Sequence, residues 1–108
     1  MTARIVREGR QVHSSSEIIA WAVDTTNWGG SPSSPGAEIF LYNPADGTYT
    51  DKTTDLFGAN TPTVSSNIVT CPALSGSALT IGATYRLEVT FVIGGNTLEC
   101  VIPIDCEH

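Results

Sequence analysis

A chain of 108 residues and 11.4 kDa holds one domain, burying roughly 60–70% of the surface that its unfolded form exposes. Only 15% of the residues are charged, while 14 Thr, 10 Ser and 10 Gly supply the small polar positions. That mixture disfavours a charged helical bundle and favours short strands joined by turns. The net charge of −6 excludes a general nucleic-acid binder, which needs basic groups to displace counterions from phosphate.

Three of the five basic residues, Arg4, Arg7 and Arg10, fall within the first ten positions. They read as solvent-facing residues of a first strand, or as a short arm for an acidic partner. No apolar core of a signal peptide follows them, and the longest apolar run, residues 18–23, is too short to cross a bilayer. Neither a targeting segment nor a membrane span is therefore expected. Three cysteines (Cys71, Cys100 and Cys106) are an odd count and a poor basis for a disulfide framework, so synthesis in a reducing cytosol fits best.

In chain order, residues 3–8 carry Ile5 and Val6 between arginines and predict a short edge strand. Residues 18–23 are six consecutive apolar positions between turn residues, the pattern of a strand buried on most of both faces, with Ile19, Trp21 and Val23 on one side. Residues 25–36 contain two prolines and three glycines and predict an irregular connection. Residues 37–42 resume as a strand, and the turn Asn43-Pro44-Ala45-Asp46-Gly47 returns the chain as a hairpin through residues 48–50. A looser stretch follows over 51–62, then a strand over 64–70 ending before Pro72.

The clearest pattern lies in residues 78–105. Tyr85, Leu87, Val89 and Phe91 alternate with Arg86, Glu88 and Thr90, and Leu98, Cys100, Ile102 and Ile104 alternate with Glu99, Val101 and Pro103. Gly94-Gly95 between them predicts an antiparallel hairpin with one face buried. Pro103 lacks an N–H and places the last strand at a sheet edge there. About seven strands and no helix result: an all-β, antiparallel β-sandwich, with residues 1–12 as arm or first strand and residues 13–108 as the body.

The segment Leu79-Thr80-Ile81-Gly82-Ala83-Thr84-Tyr85 resembles the tyrosine-corner signature of fibronectin type III and related immunoglobulin-like domains. By that resemblance Leu79, Gly82 and Tyr85 form the corner, and the Tyr85 hydroxyl bonds back to backbone near Leu79 or Ile81. Trp21 is similar to the core tryptophan of a type III module. Ile81 stands where the family usually has proline, and no cysteine follows two residues after Tyr85, so the immunoglobulin inter-sheet disulfide is absent.

Catalytic chemistry finds little support. His13 and His108 are the only histidines, and His13 beside Ser14 and Ser15 reads as a solvated loop because adjacency does not supply triad geometry. No nucleophile elbow, zincin pair or phosphate loop occurs, so neither an enzyme nor a cofactor is expected. Cys100, Cys106 and His108 lack metal-ligand spacing. Asn43, Asp46 and Asp51 miss the calcium-loop pattern and are explained by turn chemistry. Trp28, in a Gly/Ser/Pro-rich loop, reads as a lid over the core or as a binding anchor. Leu56 and Phe57 read as closing one sandwich end or touching a neighbour.

The N-terminal Arg4-Ile5-Val6-Arg7-Glu8-Gly9-Arg10 followed by an immunoglobulin-like body resembles small structural proteins of tailed bacteriophages. That resemblance implies a virion component assembled in the host cytoplasm, a capsid decoration, cement or connector protein. Its partners would be capsid or tail subunits, with homo-oligomerisation as a further option and neither nucleic acid nor membrane involved. Partner contacts would fall to Arg4, Arg7, Arg10, Trp28 and Phe57. The alternative is a cell-surface or secreted adhesion or carbohydrate-binding module using Trp28 or Tyr49.

Overall fold

The computed structural model describes the backbone of residues 2–5 and all of residues 10–107; Arg7, within the expected first strand, lies outside the described residues. Two sheets pack face to face. The first contains β1 (Thr2–Ile5), β3 (Ile18–Asp24), β7 (Ile68–Thr70) and β6 (Thr63–Ser65) in that order, with β8 (Leu74–Ser75) also on β3. The second runs β2 (Gln11–Ser14), β10 (Asn96–Glu107), β9 (Thr84–Ile93), β4 (Ser33–Asn43), β5 (Thr48–Asp51). The chain is therefore a β-sandwich, as its alternating patterns predict.

The strand count exceeds seven because several strands are too short to leave a periodic signature. β7 and β8 run end to end along β3: the Cys71 N–H continues the ladder by donating to the Trp21 carbonyl at 2.8 Å, and Pro72, having no N–H, interrupts it. The expected strand over 64–70 is instead a tight hairpin of β6 and β7, turning at Ser66 with φ +54° and Asn67. Most pairs are antiparallel, but β1 on β3 and β2 on β10 are parallel, because the chain start joins one sheet and then the other. β2 spans both sides of residue 12.

The two hairpins read from turn chemistry are present. Tyr42 faces Tyr49 across β4 and β5. Ile93 faces Asn96 across a two-residue loop in which Gly94 and Gly95 both have positive φ, the backbone that a right-twisted hairpin favours. β4 starts earlier than expected. Its Ser33 pairs with Val92 and Gly36 with Thr90, leaving Ser34 (φ +49°) and Pro35 as a bulge opposite Phe91; a bulge tolerates the proline that a regular strand would not. The stretch after β5 holds a short helix, α1 (Thr53–Phe57). Five residues are too few to show helical periodicity; the helix is fixed by Phe57, which is buried in the core.

Ile19, Trp21 and Val23 fill the core with Leu87, Val89, Phe91, Ile102 and Ile104. Ala20 and Ala22 are buried too, while Ile18 is exposed. The tyrosine corner forms as expected: Thr80 N–H donates to the Tyr85 hydroxyl at 2.9 Å, Leu79 is buried, and Gly82 takes φ +86°. The residue missed was His13. It sits on β2, fully buried, not in a solvated loop. The Trp21 indole N–H donates to Nδ1 at 3.2 Å. Nδ1 is thereby an acceptor, so Nε2 holds the proton and donates to the Glu17 carbonyl at 3.1 Å.

Candidate docking surfaces

The long connection between β3 and β4 presents Trp28. Its single 3-10 turn (Thr26–Trp28) is closed by Trp28 N–H donating to the Thr25 carbonyl and by Gly29 at φ +109°. Asn67, at the β6–β7 turn, pins this loop from three sides. Its carbonyl accepts from Thr25 N and Thr25 Oγ1 at 2.8 and 2.7 Å, its Oδ1 accepts from Ser31 N at 3.0 Å, and its Nδ2 donates to Thr26 Oγ1 at 3.3 Å. Gly30 is held so close to the Asn67 amide that a Cβ there would lie 2.6 Å from its Oδ1. The loop is irregular but fixed.

On that support the Trp28 ring stacks against the buried Phe91, centroids 5.6 Å apart and planes at 29°. Trp28 remains 48% exposed. It is therefore a lid on one ring face and an accessible aromatic surface on the other. Phe57 is different. At 3% exposure it belongs to the core, which closes the sandwich end and removes it as a surface contact.

The second surface is the outer face of the β2-β10-β9-β4-β5 sheet, built from the residues that alternate with the buried ones. Tyr42 and Tyr49 pack at 5.3 Å, and the Arg86 guanidinium lies 5.6 Å from the Tyr49 ring centroid. Arg86 Nε is 2.7 Å from Glu88 Oε2. Beside them a groove of about 170 Å³ is lined by Arg10, Tyr49, Thr84, Arg86, Val101 and Pro103. Arg10 is paired within the chain, NH1 to Asp105 Oδ1 at 2.7 Å, and Thr84 Oγ1 donates to the same carboxylate at 2.8 Å. Of the three arginines expected to act together, Arg4 belongs to β1 in the other sheet and Arg10 borders the groove, while Arg7 lies outside the described residues.

Among the described residues the thiols and the turn aspartates have structural surroundings. Burial pushes the Cys71 thiol up to about 12, with the nearby Cys100 adding to it, and burial also raises Cys100 and Cys106. Asp46 Oδ1 accepts from the backbone N–H and hydroxyl of Thr48, and Asp51 Oδ1 from the Thr53 N–H. Asn43 Nδ2 donates to Thr48 and Thr50 hydroxyls, so these residues form turns instead of converging on one point. Among the described residues no group of three or more His, Cys, Asp or Glu is placed to hold a metal ion, and no helix is long and apolar enough to cross a membrane. Compared with protein-family models, curated proteins and solved structures, the chain has no match.

Proposed function

We propose that the chain is a non-enzymatic docking module, a virion structural protein of a tailed bacteriophage that decorates, cements or connects capsid or tail subunits in particles assembled in the host cytoplasm. The observation that carries this reading is the division of labour among its side chains. His13, Cys71 and Cys106 are used inside the sandwich, whereas Trp28, Tyr49 and Val101 are held on the scaffold with 43–48% of their surface exposed. Preorganised aromatic and apolar groups on a fixed scaffold are what a docking surface needs. The strand order supports an immunoglobulin-like, fibronectin III-like assignment: a first strand that switches sheets to pair in parallel with the last, together with the tyrosine corner.

Particles purified on a density gradient, with peptides of this chain quantified by mass spectrometry, test the proposal. A fixed ratio to the major capsid protein is expected, high for decoration and low for a connector; absence from intact particles rules it out. The exposed Trp28 and Tyr49 also favour a second reading, an adhesion or carbohydrate-binding module, since such rings stack on sugars. Binding to a glycan array that disappears in Trp28→Ala would establish that reading instead.

A further inference from the structure

The β2-β10-β9-β4-β5 sheet ends on one side with β5. On the other side β2 covers only part of β10: its ladder starts at Gln11 opposite Ile104, and Arg10 already lies outside the strand. Among the described residues no strand pairs with the outer edge of residues 96–103. The edge expected at Pro103 is thus met among the described residues: no described strand flanks β10 up to Pro103, and β2 flanks it beyond.

The side chains along that edge are incompletely covered. Leu98 and Cys100 pack against the core but remain partly exposed, while Ile102, on the same face, is buried. On the opposite face Glu99 and Val101 are exposed. A strand added here has defined limits, the Gly94-Gly95 reversal at one end and β2 with Pro103 at the other. It would span about eight residues, roughly 26 Å.

Charge selects the occupant. Glu99 on β10, Glu88 on β9 and Glu38 on β4 share the outer face, and Glu38 stands directly opposite Glu88. Like charges opposed across a sheet repel. Arg86 pairs with Glu88, and among the described residues no ion pair reaches Glu38 or Glu99. A second copy of this chain, itself of net charge −6, would bring more glutamates to this edge.

We propose that residues 96–103 of β10 accept an extended segment of a protein partner as an added strand. Its alternate residues are apolar over Leu98 and Cys100 and lysine or arginine on the face of Glu99. The inference rests on the docking reading and names its partner chemistry.

The test uses two synthetic peptides of roughly nine residues, a span matched to the open edge, one alternating valine with lysine and one alternating valine with glutamate. Amide hydrogen exchange of the intact chain is followed as each is added. The lysine peptide is expected to protect amides within 96–103, and the glutamate peptide to bind at least about tenfold more weakly. Val101→Lys and Glu99→Lys, both at exposed positions, should each weaken the lysine peptide about tenfold without lowering Tm. Protection appearing only at β5 or β6, equal binding of the two peptides, or no protection at millimolar peptide overturns the proposal. Normal incorporation of both variants into particles also overturns it while leaving the docking reading intact. Wild-type chain missing from particles, with the β10 amides still protected by the lysine peptide, sinks the virion reading alone.

Discussion

At the scale of single residues, His13 shows how one side chain can join three parts of the fold. Its ring accepts from Trp21 in the adjacent sheet and donates to the Glu17 carbonyl. That carbonyl also accepts from Gly76 N–H at 2.7 Å, and a Cβ on Gly76 would overlap the backbone at Ser14 and Ser15. His13→Ala removes the acceptor of a buried indole N–H and leaves a cavity, so stability should fall by about 1–3 kcal/mol from the lost bonds, with a further cavity contribution. Urea denaturation followed by Trp fluorescence measures it. A midpoint unchanged from the parent would show that neither the bonds nor the packing of the imidazole contributes to stability. Nothing in the sequence separated this histidine from a loop residue, because its acceptor role depends on a tryptophan eight positions away on another strand.

At the scale of elements, connections are held by short local motifs as much as by the ladders. Asp24, Asp46 and Asp51 each bind a threonine two positions on. For Asp24 and Asp46 the threonine hydroxyl, then its N–H, holds the carboxyl below the ordinary range; for Asp51 the Thr53 N–H comes first. A depressed carboxyl pKa contributes stability above its unfolded value and loses it as pH falls through the folded value. The parent should therefore lose stability on acidification below about pH 4, and the combined Thr26→Val and Thr48→Val variant should show a shallower loss. Denaturant midpoints across pH 2–6 check the sign (a range set by ordinary carboxyl values of about 4); parallel curves for the two proteins would contradict it. The Trp28 loop has a separate anchor. Asn67→Ala should free residues 25–31 and raise their amide exchange by about tenfold or more, while the core strands stay protected. Unchanged exchange in that loop would mean that the bonds from Thr25 to the residue-67 carbonyl and the stack on Phe91 hold it without the Asn67 amide.

For the whole molecule, strict alternation made the 85–104 hairpin legible, and the apolar run at 18–23 made β3 legible, because each buries a face of a long strand. The tyrosine corner was legible through a local hydroxyl-to-backbone bond. What stayed hidden was set by tertiary contact: the break at Ser66, fixed by Asn67 bonding across to residues 25–31; the helix around Phe57, fixed by one buried ring; and the partial cover of β10 by β2. Of the candidate contacts, Trp28 could be named from its loop, but its simultaneous role as lid depends on Phe91, sixty-odd positions away along the chain (28 against 91). The cysteines are the whole-molecule counterpart, since their state reports burial by both sheets together. With Cys71 raised to about 12 and Cys100 and Cys106 raised as well, the native chain holds almost no thiolate at neutral pH, and thiolate is the reactive form. A disulfide-exchange reagent such as DTNB at pH 8, close to the ordinary thiol pKa of about 8.5, should react slowly with the folded protein. It should titrate all three thiols rapidly in guanidinium. The same shift makes the fold lose stability as pH rises above the unfolded thiol value, because only the unfolded chain then releases the proton. Rapid modification of Cys71 under native conditions would mean that the sandwich opens between its sheets on the timescale of the reagent, and that the rigid scaffold on which the docking surfaces depend does not exist.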